Sequence, residues 1–235
     1  MIDRLRPAAR DLLAAWSVLP RHDRVPARAD FDPMAIPHIL PIVSLIERVD
    51  ESEWRMRLAG TEIERRWGRT LTGLGYTDIM APAAAASTLC EFEAICRLPC
   101  ASWSMRHLEL SSGRRLDVET LRLPLRAADG NVSLIVSCSG ELSGRFLHEP
   151  DRCREILTVM EQEFLDIGAG IPEWVCAPWP TGGPYSKAAA LQPIFQRSAS
   201  PARNGLTASS PSPTEPGTTL GARRSVTRVS LTGSR

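Results

Sequence analysis

The 235-residue chain contains few groupings of residues that could carry out chemistry. It has no glycine-rich phosphate loop, no G-x-S-x-G elbow and no H-E-x-x-H motif. Its cysteines form no C-x-x-C pair, and no histidine stands at metal-site spacing. The cysteines are Cys90, Cys96, Cys100, Cys138, Cys153 and Cys176. We therefore expect a protein that is not an enzyme and has no metal site. The thiols are expected to be ordinary core or surface groups, and the alternative is that Cys96 and Cys100 form a redox-sensitive pair.

Charge and hydropathy indicate a cytoplasmic protein. The N-terminus lacks the apolar core of a signal peptide, and no stretch approaches the roughly 20 apolar residues of a membrane span. The formal net charge of +1 combines an acidic excess up to residue 168 with a basic excess beyond it. The basic part has sparse charges and no interleaved aromatic residues, so we expect no specific nucleic-acid binding.

Residues 54–73 are predicted to be a strand followed by a short helix. Apolar and charged residues alternate at its start, which favours a strand with one apolar face, formed by Trp54, Met56 and Leu58. Thr61 is expected to cap the helix, with Glu64 as the carboxylate of a capping box and Gly68 as the end. Caps and helix-dipole partners on a solvated face explain the charges better than a binding site does. These charged residues are Glu62, Glu64, Arg65, Arg66 and Arg69.

The elements that would position these residues follow from apolar spacing. Residues 7–18 predict a helix whose apolar side packs either on its own domain or on the same helix of a second copy. A Pro-rich extended segment follows, then a strand at 42–49 that pairs with the strand at 54–59. Residues 83–97 predict an alanine-rich helix.

Three further strands are predicted at 103–111, 116–125 and 132–138. The first two each change their apolar face once. A short turn at 112–114 would place Leu110 opposite Leu116 and Leu108 opposite Val118, so that the two changes coincide. This pattern predicts a bulge or a strong twist in the hairpin.

The end of the sequence is predicted to be a helix and a disordered tail. Apolar residues at helical spacing mark a helix at 150–167. From residue 169 onward Gly, Pro, Ser, Thr and Arg dominate, so too little apolar surface remains to offset the entropy of ordering. The predicted units are residues 1–41 (first helix and Pro-rich segment), 42–145 (main domain), 146–168 (last helix) and 169–235 (tail).

The order of these elements, together with three motifs, resembles the alphaproteobacterial single-PAS family PAS_5, once a domain of unknown function. The motifs are RLAGTEIERRWGRTLTG (Arg57–Gly73), PARADFDPMAIPHILPIVSLIE (Pro26–Glu47) and ETLRLPLRAADG (Glu119–Gly130). The resemblance covers about residues 12–144. It implies an α+β fold with a five-stranded antiparallel sheet and helices on one face, flanked here by a helix at each end. Its signature positions are Arg57, Gly60, Thr61, Gly68, Arg69 and Gly73.

The resemblance also implies a pocket between sheet and helices, bounded here by Trp67, Trp103 and Met105, with His107 beside them. Ordinary core packing of the aromatic rings is the simpler interpretation. Flavin attachment is not expected, because the segment that matches the light sensors' cysteine motif has no cysteine. Haem ligation by His107 is also not expected, since a lone histidine on a strand is more often structural. The other histidines are His22, His38 and His148. No cofactor is required.

The functional hypothesis is a non-enzymatic regulatory or sensory module that acts through contacts with a protein partner. A change in the packing of the first and last helices on the sheet would alter those contacts, and the first helix could form a homodimer. The alternative is a sensor that holds a small molecule or cofactor between sheet and helices.

Overall fold

The fold is built on a six-stranded antiparallel sheet with strand order β4-β3-β7-β6-β5-β8. The computed structural model describes residues 4–142 and 151–172. A separate two-stranded hairpin, β1 (Arg21–His22) and β2 (Val25–Pro26), precedes the sheet. The strands of the sheet are β3 (Val43–Arg48), β4 (Trp54–Ala59), β5 (Ala101–Leu110), β6 (Arg115–Arg126), β7 (Val132–Glu141) and β8 (Cys153–Leu165).

The described residues contain three α-helices, α1 (Pro7–Ser17), α2 (Thr61–Trp67) and α3 (Pro82–Arg97). Short 3-10 turns lie at Arg28–Asp30, Pro33–Ala35, Leu40–Ile42 and Tyr76–Ile79. The predicted α+β class is confirmed, with one strand more than expected. No helix of the described residues is long and apolar enough to cross a membrane.

Both faces of the sheet are covered. On one face, here called the α3 face, α2 and α3 close over a core that includes Trp54, Phe92 and Leu108. On the other, the α1 face, α1 and the Pro-rich segment cover a second core that includes Leu12, Trp16, Phe31, Leu121 and Val136. The prediction of helices on one face is therefore incomplete.

Helix α1 packs on the sheet of its own domain, which is the first of the two alternatives that its apolar side left open. Leu12 and Trp16 are fully buried in the α1-face core. The indole Nε1 of Trp16 also donates a hydrogen bond of 2.9 Å to the carbonyl of Pro124 in β6. Residues 1–41 are thus not a separate unit, because part of them completes the core.

The predicted last helix is wrong: residues 153–165 form strand β8, which pairs with β5 at the edge of the sheet. The pairing has three register shifts, and each places one extra residue in β8. Cys153, Ile156 and Val159 are consequently buried at a spacing of three. Each bulge lengthens the local spacing of buried residues from two to three, and a spacing of three is also typical of a helix. Residues 173–235 of the predicted tail lie outside the described residues.

The predicted register of the β5–β6 hairpin is also wrong, by two residues. Leu108 pairs with Leu116 and Trp103 with Leu121, without a register shift. The change of apolar face therefore needs no bulge between these strands. It arises because polar residues occupy the α3 face at one end of the hairpin and apolar residues occupy it at the other end. The buried polar positions on that face include Ser102, Ser104 and Arg106.

A bulge does lie between β3 and β4, and it corrects the prediction of one apolar face on β4. Leu45 pairs with Leu58, whereas Ile46 pairs with Met56, so Arg57 is the extra residue. Trp54 and Met56 belong to the α3-face core, while Leu58 turns to the opposite face and is half-exposed.

The start of α2 differs from the predicted capping box. Gly60 is the N-cap residue, and Thr61 is the first helical residue. A Cβ on Gly60 would lie 2.4 Å from the carbonyl oxygens of Leu40 and Pro41, so the close backbone approach requires glycine there. Glu64 instead accepts a hydrogen bond of 3.0 Å from the backbone N–H of Leu71.

The other end of α2 agrees with the prediction. Gly68 ends the helix in the left-handed conformation, with φ of 62°.

Candidate functional site: a buried arginine cluster and an apolar groove

The most unusual feature of the core is a group of three ionisable side chains buried together on the α3 face. Glu91 from α3, Arg106 from β5 and Arg122 from β6 are each only 1% exposed. We call these three residues the buried ion cluster. Charged groups are rarely buried so completely unless they are paired and hydrogen-bonded.

The carboxylate of Glu91 connects the cluster. One oxygen accepts hydrogen bonds from Arg122 Nη1 at 3.0 Å and from the Ser102 hydroxyl at 2.5 Å. Its other oxygen accepts from Arg106 Nη2. One carboxylate therefore serves two guanidinium groups, which leaves the cluster with a formal charge of +1.

The two guanidinium groups differ in how completely their N–H groups are paired. Arg106 also donates to the hydroxyls of Ser104 at 3.0 Å and Thr88 at 2.9 Å. Arg122 donates to the Tyr76 hydroxyl at 2.9 Å, but its Nε–H has no acceptor among the described residues.

Burial and charge act on the carboxyl group of Glu91 in opposite directions. Burial alone would raise the pKa of Glu91, but Arg122 and Arg106 outweigh it and hold the pKa below its usual range. Burial and the neighbouring Arg122 lower the pKa of Arg106, while Glu91 and Tyr76 raise that of Arg122 against the effect of burial. The cluster is ionised at neutral pH.

A small cavity of about 40 Å³ adjoins the cluster between α2 and the sheet, including strand β8. Three arginines line it, Arg66, Arg106 and Arg122, and no acidic side chain of the described residues does. Its other polar side chains are hydroxyls, from Ser44, Tyr76, Thr120 and Ser139. The cavity has room for a few water-sized groups and is far smaller than the roughly 300 Å³ at which metabolite pockets begin.

Arg66 connects α2 to the sheet, which corrects the prediction that it lies on a solvated face. Its side chain is 3% exposed. Nη2 donates to the carbonyl of Ser139 at 3.1 Å, and Nε lies 3.1 Å from a carboxylate oxygen of Glu141. Glu62 and Arg65 are partly exposed, as the prediction of a solvated face requires, and they form an ion pair at 2.7 Å.

The structure separates the residues predicted to bound one pocket. Trp67 lines the small cavity on the α3 face. Trp103 and Met105 pack in the α1-face core, on the opposite side of the sheet. The prediction that these residues bound one pocket is therefore wrong, because the sheet lies between Trp67 and the other two residues.

His107, Trp103 and His38, which were also considered as site residues, each have a carboxylate partner within the fold. His107 lies on β5 at a position that alternates with the cavity-lining residues, and its Nδ1 is 2.5 Å from a carboxylate oxygen of Asp117. The indole of Trp103 donates to Glu119 at 2.8 Å. His38 pairs with Asp11 of α1 at 2.8 Å, whereas His148 lies outside the described residues.

The α1 face carries an open apolar groove of about 400 Å³. One wall is the Pro-rich segment, and the other is formed by β3, the end of β4 and β7. Among the described residues, Arg28 and Thr61 are the only polar side chains that line it. The lining residues are Arg28, Phe31, Pro33, Pro37, Leu40, Pro41, Val43, Leu45, Leu58, Ala59, Gly60, Thr61 and Val136.

The backbone edge of β4 beside this groove is already occupied. Met56 N–H donates to the carbonyl of Leu74 at 2.9 Å, and Gly73 N–H donates to the carbonyl of Met56 at 2.7 Å. Ala59 N–H donates to the Thr72 hydroxyl at 3.2 Å. The groove therefore presents side chains, not a free strand edge, to a binding partner.

The signature residues have structural positions. Arg57 pairs with Glu47 across β3 and β4 at 2.7 Å, and Arg69 is exposed just after α2. Gly73, like Gly68, has a positive φ, here 92°.

The pair proposed as redox-sensitive is buried, and burial raises the pKa of both Cys96 and Cys100, the latter to about 12. High pKa values keep thiols in the unreactive protonated form. No group of three or more His, Cys, Asp or Glu residues in the described part could hold a metal ion.

The comparison with protein families decides the class of this protein. The PAS_5 family, described as a PAS domain, matches residues 4–139, more than half of the chain. The chain belongs to the PAS_5 family. The predicted resemblance is confirmed, and the match begins before α1, in agreement with the packing of α1 on the sheet. As a PAS domain, the chain is a sensory or regulatory module.

Solved structures similar to this PAS domain include two proteins of low identity. An RNA-binding light-oxygen-voltage receptor is 16% identical, with a TM-score of 0.37, over 50% of this chain and 36% of that one. VqmA from Vibrio cholera, solved with a ligand and DNA, is 13% identical, with a TM-score of 0.35, over 46% of this chain and 50% of that one. The PAS_5 chain thus covers at most half the length of either structure. No curated protein matches it.

Proposed function

We propose that this PAS_5 domain is a non-enzymatic regulatory module that acts by binding a protein partner in the apolar groove of the α1 face. The groove is the main support for this proposal. It is large, open and apolar, whereas the cavity between the sheet and α2 is too small for a metabolite.

The lining favours an apolar segment of another protein over a small molecule. A small-molecule site needs several convergent polar groups to fix the ligand's orientation. Of the described residues, only Arg28 and Thr61 could supply them, and Arg28 already donates to the carbonyl of Phe31 at 3.2 Å. Exposed apolar groups such as Leu58 on the wall of such a groove mark protein contacts.

The walls of the groove are rigid, which favours binding by shape complementarity. Pro33, Pro37 and Pro41 line one side, and their fixed φ angles limit its freedom. A preformed groove loses little entropy on binding, so a larger part of the contact energy contributes to affinity.

A matched pair of variants tests the proposal. Leu58 is 49% exposed and lines the groove, whereas Val49 is 45% exposed and does not. We expect Leu58→Asp to reduce the recovery of a partner from host lysate at least tenfold, and Val49→Asp to leave it unchanged. Quantitative mass spectrometry of material captured on the tagged full chain measures both.

Two results would contradict the proposal. Equal recovery of every captured protein by Leu58→Asp and Val49→Asp would exclude the groove as the contact. A small organic molecule that co-purifies at one copy per chain, detected by native mass spectrometry, would instead support the sensor alternative.

A further inference from the structure

The small cavity on the α3 face has the electrostatic character of an anion site. Its charged lining consists of three arginines, Arg66, Arg106 and Arg122, and the rest of its polar lining consists of hydroxyl groups. Guanidinium and hydroxyl groups can all donate hydrogen bonds, and an anion accepts them from every side.

The neighbouring carboxylates do not balance these charges completely. Arg66 has Glu141 at 3.1 Å and Glu62 at 3.8 Å. Arg106 and Arg122 share Glu91, which leaves one positive charge in excess. A buried charge without a counter-charge is strongly unfavourable, so a bound anion would stabilise the folded state.

One donor of the cluster has no hydrogen-bond acceptor among the described residues. Arg122 lines the cavity and is 1% exposed, and its Nε–H has no acceptor among the described residues. Its other nitrogens are held by Glu91 and the Tyr76 hydroxyl, which fix the orientation of the guanidinium plane. A buried N–H without a partner costs about 1–3 kcal/mol, and an anion would remove that cost.

We propose that this cavity binds a small monovalent anion of the size of chloride or nitrate, held by Arg122 Nε and the surrounding hydroxyls. The volume of about 40 Å³ sets the size limit. A single water needs roughly 10–15 Å³ on this scale, so a chloride-sized ion fits and a sugar acid or nucleotide does not.

Thermal unfolding of the full chain in two salts tests the proposal. Sodium chloride should raise the unfolding midpoint relative to sodium gluconate at equal ionic strength, because gluconate is too large for the cavity. Binding at one hundred times Kd corresponds to a rise of about 5–10 °C for a domain of this size.

Two arginine variants separate the site from general salt effects. Arg122→Gln should lose the chloride-specific rise, while Arg69→Gln, which removes the same charge from an exposed position, should keep it. Equal midpoints of the wild-type chain in the two salts, or a full chloride effect in Arg122→Gln, would overturn the proposal.

A direct measurement covers the case in which Arg122→Gln fails to fold. Crystals of the wild-type chain grown in sodium bromide should give an anomalous peak between Arg122 and the hydroxyls of Thr120 and Ser139. Anomalous peaks confined to the protein surface would overturn the proposal. Neither result affects partner capture through the groove, so the two proposals fail separately.

Discussion

The two faces of the sheet use polar and apolar groups in opposite ways. The α3 face buries an ionised cluster and a cavity of about 40 Å³ behind two helices. The α1 face has an apolar core under α1 and leaves an apolar groove of about 400 Å³ open beside it. The open site is thus suited to a large apolar partner and the closed one to a small charged ligand. The predictions below test this difference.

The largest effect is expected where the buried ion cluster loses its only carboxylate. Glu91→Gln would leave Arg106 and Arg122 buried without a counter-charge, at a cost of about 3–5 kcal/mol in the free energy of unfolding. Urea denaturation measures the change. Glu53→Gln is the control, because Glu53 forms an exposed surface pair with Arg55 and should change stability by less than about 1 kcal/mol. Similar losses of stability in both variants would show that the buried ion pairs of Glu91 contribute no more than an exposed surface pair.

A smaller loss is expected on the opposite face. Leu12→Ala would leave a cavity between α1 and the sheet, where Leu12 is fully buried, and should cost about 2–4 kcal/mol. The control is Leu13→Ala, since Leu13 lies only partly buried at the edge of the same core. If the Leu12 change left the unfolding free energy intact, α1 would not be docked as described.

The smallest effect concerns pH, and it belongs to the α3 face alone. The pKa of Glu91 is lower in the folded chain than in the unfolded one, so its stabilisation is present above its unfolded pKa of about 4.3. That stabilisation is lost as the pH falls through the folded pKa. We expect the stability difference between the wild-type chain and Glu91→Gln to narrow below about pH 4, as measured by urea denaturation at several pH values. A difference that stays constant down to pH 3 would contradict an ionised Glu91.

Local patterns predicted much of the fold because several elements obey simple periods. The strands β3 to β7 appear in the predicted order, and Gly68 ends α2 as its conformational freedom indicates. The errors occur where bulges change the period. One bulge turns Leu58 to the other face, and three bulges give β8 an apolar spacing typical of a helix.

The buried ion cluster was missed for a different reason. Glu91, Arg106 and Arg122 lie far apart in the sequence, and each one alone has the character of a surface residue. The alternation of residues along β5 and β6 nevertheless contained a sequence signal for the cluster. Arg106 and Arg122 share the face of Leu108 and Val118, so an apolar face was interrupted by charges. Only the tertiary contact with α3 shows which carboxylate compensates them.

The three extra residues of β8 have a consequence for the behaviour of the protein at high concentration. A regular strand at the end of a sheet can pair with the same strand of a neighbouring molecule and start aggregation. Bulges disturb the even spacing of donors and acceptors that such pairing needs. Glu161 and Glu163 of β8 also bind Arg4, at 2.6 and 2.7 Å, which places charges along this strand. The irregular spacing of β8, which resembles a helix in the sequence, therefore makes this strand a poor template for edge-to-edge pairing with a second copy.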